Sequence, residues 1–196
     1  MSQRLLYPSV ADIFASQVVK DSFQKAWDDS FPTPETCREQ GGFIYADGEG
    51  FRTFHISWAP PGAMESQSRR EIDPTKSLSI NLTTPILPDS ASANAVLVAT
   101  FHTHPLSPDA GGNEHPSNAD MDNAYYRRMP GFVVSRSVLY YYNRVPGDEE
   151  SDHRRRKTDN PNGYPRWAEG EFVEPQGAFL AGKIKWRPTS ASNQRD

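Results

Sequence analysis

The residues most able to do chemistry in this chain are two histidines, His102 and His104, and a carboxylate, Asp120. The histidines follow the apolar run 96–101, which predicts a buried strand. Side chains at positions i and i+2 of a strand leave the same face, about 6.6 Å apart along it, so two imidazoles there can bind one ion. Two histidines and one aspartate leave one position of a tetrahedral metal open to water, which is the layout of a catalytic zinc site.

Pro105 and Ser117 mark the ends of the elements that would position these ligands. A proline cannot donate to a strand ladder, so the strand ends there. Ser117, with Asp120 three residues later, is typical of a helix start, and the next residues, 121–128, predict a short helix. The pattern brings three ligands and a hydroxyl to the carboxyl end of a strand, where α/β sheets bind ligands. The same Ser-x-x-Asp spacing is also that of an ordinary capping box.

The elements around this pattern predict a sheet covered by a helix. Apolar residues at helical spacing predict one helix over residues 9–30, with Ser9 as its N-cap and Asp12 three residues on. We expect its apolar stripe to pack on the sheet. The stripe consists of Val10, Ile13, Phe14, Val18, Val19, Phe23 and Trp27.

Runs of apolar residues that alternate or cluster predict the remaining strands. Residues 39–58 predict a β-hairpin, with strands at 43–45 and 51–58 and a turn at Asp47–Gly48. Further strands are expected at 78–82, 132–135, 138–142 and 182–187.

Composition excludes several classes of protein. The chain has 196 residues and a net charge of −4, which predicts one domain with appendages and no general phosphate-binding surface. No apolar run approaches the ~18 residues of a membrane helix, and the N-terminus lacks a signal peptide. We therefore expect synthesis in the cytoplasm, with any export following a route that needs no signal peptide. The single cysteine, Cys37, excludes an internal disulfide and fits a reducing compartment.

The sequence His102-Thr-His104-Pro105 with Ser117-x-x-Asp120 resembles the motif of the JAB/MPN-plus (JAMM) zinc metalloproteases. That family also places a glutamate upstream, and Glu39-Gln-Gly-Gly-Phe-Ile-Tyr45 is similar to its context. The resemblance covers about residues 35–145. It implies an α+β (α/β) fold, with a JAB/MPN-like (cytidine-deaminase-like) mixed β-sheet flanked by helices.

The resemblance also divides the chain and assigns roles. Residues 1–34 would be a helical segment packed on the core, 35–145 the metalloprotease core, and 146–196 a charged, loop-rich extension. His102, His104 and Asp120 would hold Zn²⁺, with water as the fourth ligand. Glu39 would be the general base that takes a proton from that water and later gives it to the leaving amine. Ser117 would donate a hydrogen bond to the developing oxyanion.

The activity implied is hydrolysis of a peptide or isopeptide bond in a protein or peptide substrate. The compact chain is similar to JAB-type modules of bacterial polymorphic toxins and effectors. A toxin of this kind would have a neutralising immunity or adaptor protein as partner.

One departure concerns the loop 106–116, which is longer than the family's usual spacing. It adds three potential ligands, Asp109, Glu114 and His115. If His115 took the open metal position, the site would be structural or autoinhibited, although a loop histidine is more often solvated or hydrogen-bonded.

Three other functions compete with the peptidase. An MPN-like fold without catalysis would serve as a binding or scaffold module. A cysteine hydrolase would need Cys37, which has no strand-to-helix elbow around it. A nucleic-acid role for the basic run 154–157 is disfavoured because the acidic residues of 148–152 neutralise it locally.

Overall fold

The structure is a computed structural model that describes residues 8–67, 79–106, 112, 114–127, 129–136, 138–142 and 178–183. Its helices and mixed sheet confirm the α+β class. The helices are α1 (Val10–Ala15), α2 (Gln17–Asp29) and α3 (Asn118–Arg127). The strands are β1 (Thr36–Cys37), β2 (Gly41–Asp47), β3 (Thr53–Trp58), β4 (Glu65–Ser66), β5 (Val96–Thr103), β6 (Gly131–Val134), β7 (Val138–Tyr142) and β8 (Ala178–Lys183).

The main sheet has the order β3-β2-β5-β6-β7-β8, and β1 pairs with β4 in a separate two-stranded sheet. In the main sheet β5 and β6 are parallel, and the other neighbours are antiparallel. Parallel strands need a crossover connection, and here α3 lies in that crossover between β5 and β6. The start of α3 therefore follows the carboxyl end of β5.

Helix α2 covers one face of the main sheet. The ring of Phe23 lies 5.4 Å from the rings of both Phe101 and Phe132, on the adjacent strands β5 and β6. The opposite face carries Val133, Tyr140 and Tyr142, which form a separate buried cluster with Ala124 of α3. The strand that bears the histidines is thus enclosed between two layers.

The predicted helix 9–30 is two helices, because Ser16 adopts an extended conformation with ψ of 129° and ends α1 before α2 begins. The predicted cap is confirmed: Ser9 and Asp12 form a capping box at the start of α1. The predicted stripe is wrong at Val18, which is 50% exposed. Because adjacent helix positions point about 100° apart, α2 buries Val19, which the stripe also includes, but not Val18.

The predicted hairpin is confirmed as β2 and β3, with a longer connection than expected. Gly48 and Gly50 have positive φ values of 75° and 65°, and a 3₁₀ turn spans Glu49–Phe51. The second strand consequently begins at Thr53 and not at Phe51.

The other predicted strands have mixed outcomes. Strands at 132–135 and 138–142 are confirmed as β6 and β7, shifted by a residue at the ends of β6. The strand predicted at 78–82 is wrong over 79–82, which is irregular, and residue 78 lies outside the described part.

The late strand expected at 182–187 is β8, Ala178–Lys183, and residues 184–187 lie outside the described part. Because β8 pairs with β7, a piece of the predicted C-terminal extension belongs to the main sheet. The charged residues 148–157 and His153 lie outside the described residues. The domain boundaries at 34/35 and 145/146 stay predictions.

We expect Phe23→Ala to lower the free energy of unfolding by about 3–5 kcal/mol, because it empties a buried site between α2 and the sheet. Val18→Ala, on the exposed side of the same helix, should change it by less than about 0.5 kcal/mol. Denaturant unfolding of the two variants measures the difference, and equal losses would contradict the packing of α2 through Phe23.

Candidate metal centre

Three side chains bring ligand atoms together at the end of β5. The Nε2 atoms of His102 and His104 lie 3.0 Å apart. Asp120 places Oδ1 3.2 Å from the Nε2 of His102 and Oδ2 3.7 Å from the Nε2 of His104. Within the described residues these three form a group whose ligand atoms all lie within 4.8 Å of one another.

The sheet fixes both histidines. His102 belongs to β5 and pairs with Gly41 of β2 and Val133 of β6. His104 lies one residue beyond the strand, but its backbone N–H still donates to the carbonyl of Val134 at 2.9 Å. A Cβ at position 41 would stand 2.2 Å from the carbonyl oxygen of Phe101 and 2.9 Å from the Cβ of His102. Only glycine therefore allows β2 to approach the histidine strand this closely.

The first turn of α3 fixes Asp120. Its Oδ2 accepts hydrogen bonds from the backbone N–H of Ser117 at 2.6 Å and from the Ser117 hydroxyl at 2.7 Å. The backbone N–H of Asp120 in turn donates to the Ser117 Oγ at 3.2 Å. These are the reciprocal bonds of a capping box. Ser117 therefore fixes the Oδ2 of Asp120, while its Oδ1 faces His102.

The separations fit a metal ion. Ligands at 2.0–2.2 Å from a tetrahedral zinc stand about 3.3–3.6 Å apart. The 3.0 Å between the two Nε2 atoms and the 3.2 Å from the His102 Nε2 to the Asp120 Oδ1 lie close to that range. The 3.7 Å contact of the His104 Nε2 is to the other carboxylate oxygen, Oδ2. The group can therefore hold a metal ion, with no fourth protein ligand among the described residues. Imidazole and carboxylate also bind other transition metals, so these distances locate a metal site but do not identify the metal.

The electrostatics of the group favour a cation. Burial alone would lower the pKa of His102, but the Asp120 carboxylate raises it overall. Burial alone would raise the pKa of Asp120, yet the imidazole of His102 and the hydrogen bonds around it hold that pKa well below its usual range. Asp120 is thus ionised throughout the physiological range, and a positive charge beside it is stabilised.

Glu39 lies two residues before the start of β2. Its Oε2 accepts a hydrogen bond from the backbone N–H of Ile80 at 2.8 Å. Burial raises the pKa of the Glu39 carboxyl to about 7, and His102 counters part of this rise while Asp120 adds to it. Glu39 is therefore close enough to sense the charge of the metal-binding group without belonging to it.

His115 does not join the metal-binding group. Its ring packs edge-on against Tyr140, with ring centroids 4.8 Å apart. Burial lowers the pKa of His115 to about 4, so the ring is neutral at physiological pH. Glu114 is likewise outside the group, and Asp109 lies outside the described residues.

Two residues of the site escaped the sequence analysis. Ile80 acts through its backbone N–H, which leaves no signal in the residue type. Tyr142 lies in the strand-like run 138–142 and places its ring 6.5 Å from that of His102. A Cβ at Gly131 would stand 2.2 Å from the Tyr142 ring, so that glycine gives the ring its space. No hydrogen-bond partner of the buried His102 Nδ1 is found among the described residues, so this imidazole is oriented by the contacts of its Nε2 and by packing.

His55, by contrast, belongs to a separate part of the sheet. Its Nε2 lies 2.9 Å from Asp47 and its Nδ1 lies 3.2 Å from Ser90. Asp47 is at the far end of β2 from Gly41, so His55 is not connected with the metal-binding group.

Comparison with known proteins gives no match at the level of sequence or structure. No family model matches the chain, no curated protein is significantly similar to it, and no solved structure matches it. The described helices include none long and apolar enough to cross a membrane.

We expect the purified protein to bind about one equivalent of zinc, and His104→Ala to weaken binding by more than ~100-fold, since loss of an outer-shell partner alone costs 10–100-fold. His115→Gln is the matched control and should bind as tightly as the parent. Competition with a chelating dye measures both affinities. A comparable loss in His115→Gln would instead make His115 a ligand.

Zinc affinity should also fall with acidity. Binding requires a neutral His102, and the pKa of His102 in the metal-free protein lies above its ordinary 6.5. As the pH falls through that raised value, protons compete with the metal, and the affinity should drop about tenfold per pH unit for each proton displaced. Titrations between about pH 5 and 8 test this. An affinity that stays constant down to pH 6 would contradict it.

Proposed function

We propose that the protein is a zinc-dependent peptidase or isopeptidase with a JAB/MPN-like fold. The observation that carries the proposal is the convergence of the ligand atoms of His102, His104 and Asp120. The Glu39 carboxyl is buried near them, and its pKa responds to the charges of His102 and Asp120. Three ligands with an open fourth position are typical of catalytic rather than structural zinc sites.

In this proposal the histidines and Asp120 hold the ion, and the capping box of α3 keeps Asp120 in place. When bound, zinc would activate a water and polarise the scissile carbonyl. Metal binding would select neutral imidazoles and an ionised carboxylate.

Glu39 moves the proton. A divalent cation nearby favours the charged form of a carboxyl and lowers its pKa, so the loaded site would convert Glu39 from a partly protonated acid into a base at neutral pH. The Ile80 amide donates to Oε2, and in this proposal Oε1 would take the proton from the attacking water. Protonated Glu39 then delivers that proton to the leaving amine.

Ser117 has two roles to fill. Its single O–H donates to Asp120 in the structure, so its first role is to orient that carboxylate. The oxyanion contact implied by the resemblance requires the hydroxyl to turn from Asp120 towards the substrate, and a donor of this kind is worth about 2.7–4 kcal/mol in the transition state.

The finer assignments also belong to the proposal. A mixed sheet with a βαβ unit, a His-x-His-Pro strand end and a Ser-x-x-Asp helix start supports the JAB/MPN-like fold. The toxin or effector role, a neutralising immunity or adaptor partner, and export without a signal peptide rest on the sequence resemblance.

A non-catalytic scaffold is the second candidate, favoured by one observation. The three side chains already contact one another directly, through the 3.0 Å imidazole pair and the 3.2 Å contact to Asp120, so the cluster has a structural role in its own right.

We expect Glu39→Gln to reduce turnover by about 10²–10⁴-fold, the usual contribution of a general base, and to leave the zinc stoichiometry unchanged. Glu49→Gln makes the same chemical change at an exposed position of the hairpin turn and should retain full activity. Mass spectrometry of products from peptide libraries and from isopeptide-linked ubiquitin-like proteins provides the measurement.

The two candidates differ in outcome. A zinc-loaded parent protein that cleaves none of these substrates would favour the scaffold. Equal turnover in Glu39→Gln and the parent would remove Glu39 from the mechanism.

A further inference from the structure

The residue between the two histidines, Thr103, points away from the metal-binding group. Alternation along β5 places its side chain on the face opposite to His102, towards the C-terminal end of α2. There it is fully buried, and its Oγ1 lies 2.7 Å from the Oγ of Ser30, which is also fully buried.

Thr103 also contacts the segment that carries Glu39. The backbone N–H of Gln40 donates to the Thr103 Oγ1 at 2.9 Å. The backbone N–H of Thr103 donates to the carbonyl of Gln40 at 2.8 Å. Strand β2 begins only at Gly41, so these two bonds join the residue after Glu39 directly to the residue between the histidines.

The direction of every hydrogen bond in this buried chain is determined. A backbone N–H can only donate, so Thr103 accepts from Gln40. Ser30 gives its single hydroxyl proton to the carbonyl of Ala26 at 2.8 Å. Thr103 must therefore donate to Ser30. The chain runs from the Gln40 amide through the two hydroxyls to Ala26, and such aligned bonds strengthen one another.

Two further bonds secure the same segment to α2. The Gln40 side chain donates from Nε2 to the carbonyl of Asp29 at 3.0 Å, and the backbone N–H of Arg38 donates to the carbonyl of Ser30 at 2.9 Å. Both neighbours of Glu39 are thus held at the end of α2, while Thr103 connects that assembly to the histidine strand.

We propose that Thr103 is a positioning residue, whose hydroxyl fixes the distance between Glu39 and the His102, His104 and Asp120 group; as a role in catalysis this rests on the proposed function. A general base must reach the reacting water within hydrogen-bond distance. A displacement of about 1 Å can cost about 10²-fold in rate. The Thr103 hydroxyl bonds to Gln40 and Ser30, on the opposite face of β5 from His102.

Amide exchange tests the positioning in the metal-free protein, without any turnover. In Thr103→Val we expect the Gln40 amide to exchange at least about tenfold faster, the equivalent of one lost hydrogen bond. The Ile80 amide, which donates to Glu39, should accelerate with it. The Phe43 amide in the middle of β2 is the internal reference and should change much less. Thr103→Ser, which keeps the hydroxyl, should restore both rates.

Kinetics of the zinc-loaded protein give the second readout. Thr103→Val should lower kcat by about 10–100-fold with KM and zinc affinity within about threefold of the parent, because only the base is displaced. Thr103→Ser should recover kcat to within about threefold of the parent. A loss of kcat shared by both variants, or unchanged exchange at Gln40 and Ile80 in Thr103→Val, would overturn the inference.

Two outcomes separate this inference from the proposed function. If the parent protein has no turnover, the proposed function fails while the exchange rates still decide the role of the Thr103 hydroxyl. Should Thr103→Val prove too unstable, Ser30→Ala tests the chain from its other end. It removes the acceptor of Thr103, and exchange at Gln40 should then rise about three- to tenfold; an unchanged rate contradicts the inference.

Discussion

The carboxylate of Asp120 connects the secondary structure to the metal-binding group. One oxygen accepts the capping bonds from Ser117 at the start of α3, and the other faces His102. Helix α3 lies in the crossover that the parallel strands β5 and β6 require. The helix start and the strand end therefore meet at one point, and the geometry of the site follows from the strand order.

Burial of the side chains around this group also favours a cation there. His102 is almost fully buried, and Asp120 and Glu39 place two carboxyl groups in the same region. Burying ionised groups is costly unless they are paired or bind a metal. In the metal-free protein the Glu39 carboxyl binds a proton near neutral pH, because burial raises its pKa. Asp120 stays ionised and raises the pKa of His102. A divalent ion held by the histidines and Asp120 would place a positive charge near both carboxylates and favour the ionised form of each.

Sequence predicted those parts of the structure that depend on local spacing. Alternation along β5 places the two histidines correctly, and Ser117 with Asp120 gives a helix start whether or not a metal is bound. The break at Ser16 escaped prediction, because residues on both sides keep helical spacing and only a backbone torsion changes. The Ile80 contact to Glu39 also escaped, since a backbone N–H leaves no mark in the residue type. Thr103 was hidden for a third reason: its partners Ser30 and Gln40 are distant in sequence from it, and only tertiary packing brings the three together.

The order of the ligands along the chain has a consequence for folding. His102 and His104 are close in any conformation of the chain, whereas Asp120 is 16 residues beyond His104 and meets them only in the folded structure. The unfolded chain thus offers two ligands and the native chain three, so a bound metal would favour the native state through its differential affinity. At a free metal concentration a thousandfold above the dissociation constant, that linkage would reach about 4 kcal/mol if the unfolded chain bound no metal, and binding to its two histidines reduces this value. A bound metal would then act on stability through the βαβ unit, because the start of α3 supplies the third ligand.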